Sequence, residues 1–203
     1  MKIICIGRNY RDHAKELGND VPTEPVIFLK PDSSLLKPGQ PFFLPDMFKE
    51  VHHEVEVVVR IGRNGKHIAE RFAHKYYDEI GLGIDFTARD KQTELKQKGL
   101  PWELAKGFDG SAVISKWVDK SSLPPVQELN FRLEKNGMTT QSGNTRDMLF
   151  SIDQMIAFVS QYYTLKMGDI LFTGTPAGVG PVQREDILIG YLMDEKVFQC
   201  KVK

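Results

Sequence analysis

The sequence predicts a β-rich α+β domain. Apolar segments of strand length outnumber helical patterns. An alternating stretch runs into Asn136-Gly137, a strong hairpin signal. Proline and glycine are scattered as turn markers and gather at no boundary, so residues 1–203 are expected to form a single domain.

Residues 2–6 form an apolar strand pattern ending at Gly7. Asn9 to Leu17 follows as a short helix. Its Tyr10, His13, Ala14 and Leu17 share a face, and Gly18-Asn19 is a stop signal. Residues 25–30 form a short strand closed by Pro31. Residues 51–61 give the clearest strand, with Val51, His53, Val55, Val57, Val59 and Ile61 on one side. His52, Glu54, Glu56, Val58 and Arg60 fall on the other. Another strand spans 80–86, and Thr87 is expected to cap a helix ending near Gly99. Residues 130–135 alternate before the hairpin turn. Ser151 and Gln154 make a capping box ahead of the stripe Ile152, Met155, Ile156 and Val159. A strand over 169–173 leads into a glycine-rich loop, and 187–193 with 196–202 read as a closing hairpin.

Composition narrows the partners. Lys plus Arg number 27 and Asp plus Glu number 27, and this balance argues against nucleic acid. No apolar run approaches the roughly 20 residues that cross a bilayer, and Arg8 cuts short the apolar N-terminus. The protein is expected to be soluble and cytoplasmic. Cys5 and Cys200 form no CxxC motif and fit a reduced protein, although a disulfide between them stays open.

Glu54 and Glu56 stand two apart in a valine-rich strand, so both carboxylates share a face. Like charges beside an apolar wall stay protonated unless a cation neutralises them. A hard divalent ion, Mg²⁺ or Mn²⁺, suits such oxygen ligands. The same pair also suits a wet sheet face. Asp85, ending a glycine-flanked strand, could complete the set or serve as an ordinary strand-end acid. His13 and Glu16 are helical neighbours, either a base with its orienting carboxylate or a surface ion pair. Lys106 lies in apolar surroundings, where it could bind a carboxylate or stabilise an enolate. Arg8, Lys30, Arg89 and Gln92 could clamp an anionic ligand. Thr175 lies in the loop Gly174 to Gly180, which fits no phosphate-binding pattern and is read as a tight turn.

The order of these signals is more specific than any one of them. Gly7-Arg8-Asn9-Tyr10 precedes His13 and Glu16. Then come His53-Glu54-Val55-Glu56, Asp85-Phe86-Thr87-Ala88-Arg89-Asp90 with Gln92, Gly99-Leu100-Pro101-Trp102 with Lys106, and Thr173-Gly174-Thr175-Pro176. The succession resembles the fumarylacetoacetate hydrolase family, in its short acylpyruvase and oxaloacetate decarboxylase branch. The resemblance implies a mixed β-sandwich roll and a homodimer. It implies Mg²⁺ or Mn²⁺ on Glu54, Glu56 and Asp85, with His13 and Glu16 as the water-activating dyad and Lys106 as the active-site lysine. Arg89, Gln92 and Thr175 would touch substrate. The implied activity is C–C cleavage of small 2-oxo acids, by acylpyruvate hydrolysis or oxaloacetate decarboxylation through a metal-stabilised enolate. The alternative is an isomerase or keto–enol tautomerase of a dicarboxylic oxo-acid. After Phe108-Asp109-Gly110 the family often carries proline, whereas this chain reads Ser111-Ala112-Val113-Ile114-Ser115.

Overall fold

The computed structural model describes residues 1–16, 18 and 20–203. Leu17 and Asn19, expected at the end of the first helix and in its stop signal, lie outside the described residues. In chain order the elements begin with β1 (Ile3–Gly7), α1 (Arg11–Glu16), β2 (Val26–Lys30), β3 (Val51–His53), β4 (Val55–Ile61), α2 (Glu70–Ala73), β5 (Tyr77–Asp85) and β6 (Thr87–Ala88). They continue with α3 (Arg89–Gln97), α4 (Glu103–Lys106), β7 (Ala112–Ile114), β8 (Val118–Asp119), β9 (Asn130–Lys135) and β10 (Met138–Asn144). The last are α5 (Ile152–Tyr162), β11 (Ile170–Phe172), β12 (Gly180–Pro181), β13 (Ile187–Leu192) and β14 (Glu195–Lys201).

Strands dominate, as the sequence predicts. The largest sheet runs β2-β1-β11-β4-β5-β7, with β8 also paired to β5. It is mixed, because β1 lies parallel to β11 while its other pairings are antiparallel. A second sheet orders β10-β9-β13-β14, and a small one β12-β3-β6. One face of the large sheet contributes Val55, Val57, Val59, Ile80, Leu82 and Ile84 to the main core. The second sheet adds Phe131, Leu133 and Leu188, and α5 adds Ile152, Met155, Ile156 and Val159. Burying each such side chain stabilises the fold by roughly 1.5–3 kcal/mol. The opposite face gathers Ile3, Cys5, Phe28, Val58, Ile170 and Phe172 in a second cluster.

Local chemistry explains the clearest elements. Asn136 and Gly137 both take positive φ, 55° and 81°, which a tight hairpin turn demands. Ser151 accepts from Gln154 N while the Gln154 side chain accepts from Ser151 N, closing the capping box. Gly83 gives β5 its tight packing, since a Cβ there would meet Val113 O at 2.6 Å and the Phe172 ring at 2.7 Å.

Two expectations need correction. The run over 51–61 is two strands, β3 and β4, broken at Glu54, and both faces of β4 are buried from Val55 to Val59. The wet-face alternative therefore fails. Thr87 does not cap α3. It sits in β6, Ala88 is the cap residue, and no side chain completes it. Thr87 Oγ1 instead accepts from Lys106 Nζ at 2.6 Å. Cys5 and Cys200 are both free and buried, in line with the reduced reading.

Candidate active site

The break between β3 and β4 builds the site. Val55 N is diverted to the side chain of Gln141 at 3.0 Å, and Glu54 O accepts from Asp85 N at 2.9 Å. This ties Glu54 to the end of β5. Glu54, Glu56 and Asp85 are all buried, and one oxygen from each lies within 4.8 Å of the others.

Each carboxylate has different neighbours. Asp85 Oδ2 and Glu54 Oε2 both accept from Lys106 Nζ at 2.7 Å. Arg89 closes on the other oxygen of Glu54. Lys30 Nζ lies 2.7 Å from Asp85 Oδ1 but off hydrogen-bond alignment, so that contact is ionic only. Glu56 accepts from Gly174 N at 2.7 Å and forms no ion pair with a described residue. Gly174 reaches it at φ 98°, where a Cβ would strike Asn9 Cβ at 2.6 Å. Burial opposes ionisation of Glu54, but Lys106 and Arg89 outweigh it and hold the carboxyl well below its usual range. Burial pushes Glu56 well above that range, and Asp85 and Glu54 push further. Lys106 loses ground to burial, yet Asp85 and Glu54 more than restore it, so its ammonium stays charged.

An oxygen-only donor set with one carboxylate short of positive charge fits a hard divalent cation. Lys106 makes the same point from within: an ammonium already bridges two of the three acids.

Above this floor lies a narrow cleft. Arg8, His13, Arg89, Gln92, Lys106 and Thr175 line it together with the three acids. His13 Nδ1 is 3.1 Å from Glu16 Oε2, and Glu16 Oε1 accepts from Gly178 N at 3.0 Å. Glu16 thus stands behind the ring, outside the cleft lining, and fixes its direction. Burial lowers the His13 pKa against the pull of Glu54 and Glu16. The imidazole is neutral near pH 7 and can accept a proton.

Several expected ligand contacts are occupied internally. Lys30 does not line the cleft; its ammonium is enclosed, bonded to Ser111 Oγ at 2.9 Å and to Lys106 O, beneath Asp85. Thr175 Oγ1 donates to Val55 O and accepts from Gln141 Nε2, both at 2.8 Å. Arg89 is engaged by Glu54 and by Gln92, whose Oε1 is 2.6 Å away.

Sequence reasoning gave no role to Asn9 and Trp102, which stand in the motif order, and overlooked Gln141 and Lys96. Asn9 joins the loop after β1 to Thr173 O and to Phe150. Gln141 pins Thr175 and His53. Lys96 had a visible signal, since Arg89, Gln92 and Lys96 fall at i, i+3 and i+7 on α3.

A model of the fumarylacetoacetate hydrolase C-terminal family matches residues 2–198. The chain belongs to this family. Among family members it is 45% identical over 184 residues to the mitochondrial oxaloacetate tautomerase of Mus musculus, covering 91% of this chain and 83% of that protein. It is 42% identical to an oxaloacetate tautomerase of Escherichia coli, over 92% of this chain and 86% of the relative. Identity to the mitochondrial oxaloacetate decarboxylase of Dictyostelium discoideum is 40%, over 92% and 86%. A solved structure of Pseudomonas aeruginosa fumarylpyruvate hydrolase, in complex with Mn²⁺ and pyruvate, superposes with a TM-score of 0.94. It is 30% identical, and the match covers all of this chain and 89% of that one. The chain is an enzyme of the fumarylacetoacetate hydrolase family, and no helix among its described residues is long and apolar enough to cross a membrane.

Proposed function

We propose that the chain acts as one catalytic domain on small 2-oxo acids with the help of a divalent cation. Keto–enol tautomerisation of oxaloacetate is its principal reaction, and C–C cleavage is a second capacity of the same site. The buried acidic triad facing a cationic cleft carries this proposal. The motif order in the sequence puts cleavage first. The names of the mouse and Escherichia coli relatives favour tautomerisation, and the Dictyostelium name keeps decarboxylation in view.

Glu54, Glu56 and Asp85 would hold Mg²⁺ or Mn²⁺, and the ion when bound supplies a Lewis acid for the 2-oxo carbonyl. The protein does the rest. Lys106 has three protons and spends all of them on Glu54, Asp85 and Thr87, so it acts through its charge, favouring negative charge that develops on the substrate. Arg89, Gln92 and the Thr175 loop shape the wall that orients the acid. His13, aimed by Glu16, takes a proton from water, which cleavage of an acylpyruvate requires. Tautomerisation needs only proton exchange on the polarised acid, which water in the open cleft can supply.

We also propose a homodimer, with the apolar face around Leu35, Leu36, Ile114 and Trp117 against a second copy. A cytoplasmic setting is consistent with the two reduced cysteines.

Purified protein with Mg²⁺ or Mn²⁺ should speed the loss of enol absorbance from oxaloacetate well beyond metal alone. It should also release pyruvate from acetylpyruvate. Failure of both assays overturns the proposal. His13→Ala should lower cleavage by about 10²–10⁴-fold while tautomerisation falls far less. Equal losses would show that one dyad serves both reactions.

A further inference from the structure

Almost every charge at the site has a partner. Lys106 bridges Glu54 and Asp85, Lys30 faces Asp85, and Arg89 is held by Glu54 and Gln92. Two cations break this rule. Arg8 and Lys96 line the same cleft, and neither forms a salt bridge or side-chain hydrogen bond with a described residue. Arg8 Nε is buried without a partner. Lys96 is half-buried, whereas its exposed neighbour Lys98 pairs with Glu94.

Both cations are held in place. Arg8 adopts φ 60°, an unusual value for a residue with a side chain. Asn9 locks that conformation through its bonds to Thr173 O and Phe150. Lys96 follows Arg89 and Gln92 along one face of α3, so the helix directs all three to the cleft. Trp102 stands between the two elements. Its ring centroid lies 5.8 Å from Arg8 Cζ and 5.5 Å from Lys96 Nζ, within cation–π range of both. Burial, then Arg8, then Arg89 push the Lys96 ammonium down to about 8. Glu54 pulls the other way from across the cleft but forms no salt bridge with Lys96. Like charges fixed side by side, with no salt-bridged carboxylate among the described residues, form a receptor for an anion.

We infer that Arg8 and Lys96, spaced by Trp102, bind the second carboxylate of a dicarboxylic 2-oxo acid. The first carboxylate and the oxo group of that acid face Glu54, Glu56 and Asp85. This rests on the proposed 2-oxo-acid activity and sharpens it, because the pair selects dicarboxylic over monocarboxylic acids. Trp102 is a positioning residue that keeps the two cations apart and aimed.

Binding can be read by stopped flow before turnover depletes the ligand. The chain has two tryptophans, so Trp117→Phe leaves Trp102 as the only tryptophan, excited selectively at the red edge of its absorption. With Mg²⁺ present, oxaloacetate should change Trp102 emission. Oxalate, too short to reach the rim from the acids, should not. Lys96→Gln should weaken oxaloacetate binding about tenfold, leave oxalate affinity by calorimetry within about twofold, and raise KM while kcat holds. Lys96→Arg should restore most of the loss. Equal weakening of both ligands, or of neither, overturns the subsite. If the wild type turns over no oxo-acid but these binding differences hold, the activity proposal fails and the subsite stands. Turnover of oxaloacetate without any discrimination by Lys96→Gln has the opposite meaning.

Discussion

The floor and the rim of the cleft treat charge in opposite ways. On the floor, Glu54, Glu56, Asp85, Lys30 and Lys106 are almost wholly buried, and cations and anions interlock. At the rim, Arg8 and Lys96 are partly open to water and form no salt bridge with a described residue. A buried charge must be neutralised for the protein to fold, whereas a half-exposed one can wait for a ligand. The floor is therefore bound up with stability as well as chemistry, and the rim with selection alone.

The sharpest break of that contrast is Lys106→Met. It leaves Glu54 with Arg89 alone and Asp85 with Lys30 alone, and folding stability should drop by up to about 3–5 kcal/mol in urea denaturation. Saturating Mg²⁺ should recover part of the loss, because the ion restores positive charge to the same oxygens. A variant as stable as the wild type would mean that the floor is not held by charge pairing. Glu56→Gln should act next, removing the one triad acid without a cation of its own. Mg²⁺ or Mn²⁺ affinity by calorimetry should fall about 100-fold, close to 2.7 kcal/mol, with the unfolding midpoint unchanged or raised. Unaltered metal affinity would remove Glu56 from the ligand set. At the rim, Lys96→Gln should shift unfolding by no more than about 0.5 kcal/mol. A larger shift would make Lys96 part of the scaffold.

The same divide decides what could be read from the sequence. Glu54 and Glu56 were legible because a strand repeats every two residues and valines surround them. Their burial was not, since it depends on Lys106 and Arg89 closing on Glu54 and on the loop at Gly174 closing on Glu56. Lys30 looked like any free lysine. Only the packing of β2 against α4 and the Ser111 loop shows it to be enclosed. Thr87 carried the chemistry of a helix cap, but pairing with β3 drew its backbone into a strand and gave its hydroxyl to Lys106. Lys96 shows the reverse case. Helical spacing was enough to place it with Arg89 and Gln92, but its lack of a partner is a tertiary fact.

The parallel pairing of β1 with β11 sets a schedule for assembly. Ile3 aligns with Ile170, and Asn9 closes on Thr173 just before Gly174 reaches Glu56. During synthesis the first strand can pair with β2 early but must wait until nearly the whole chain has emerged before it finds β11. Contacts so distant in sequence form slowly. Until they form, the edge of β1 away from β2 stays open, and a nascent chain halted before residue 174 would carry its triad acids on an unfinished floor.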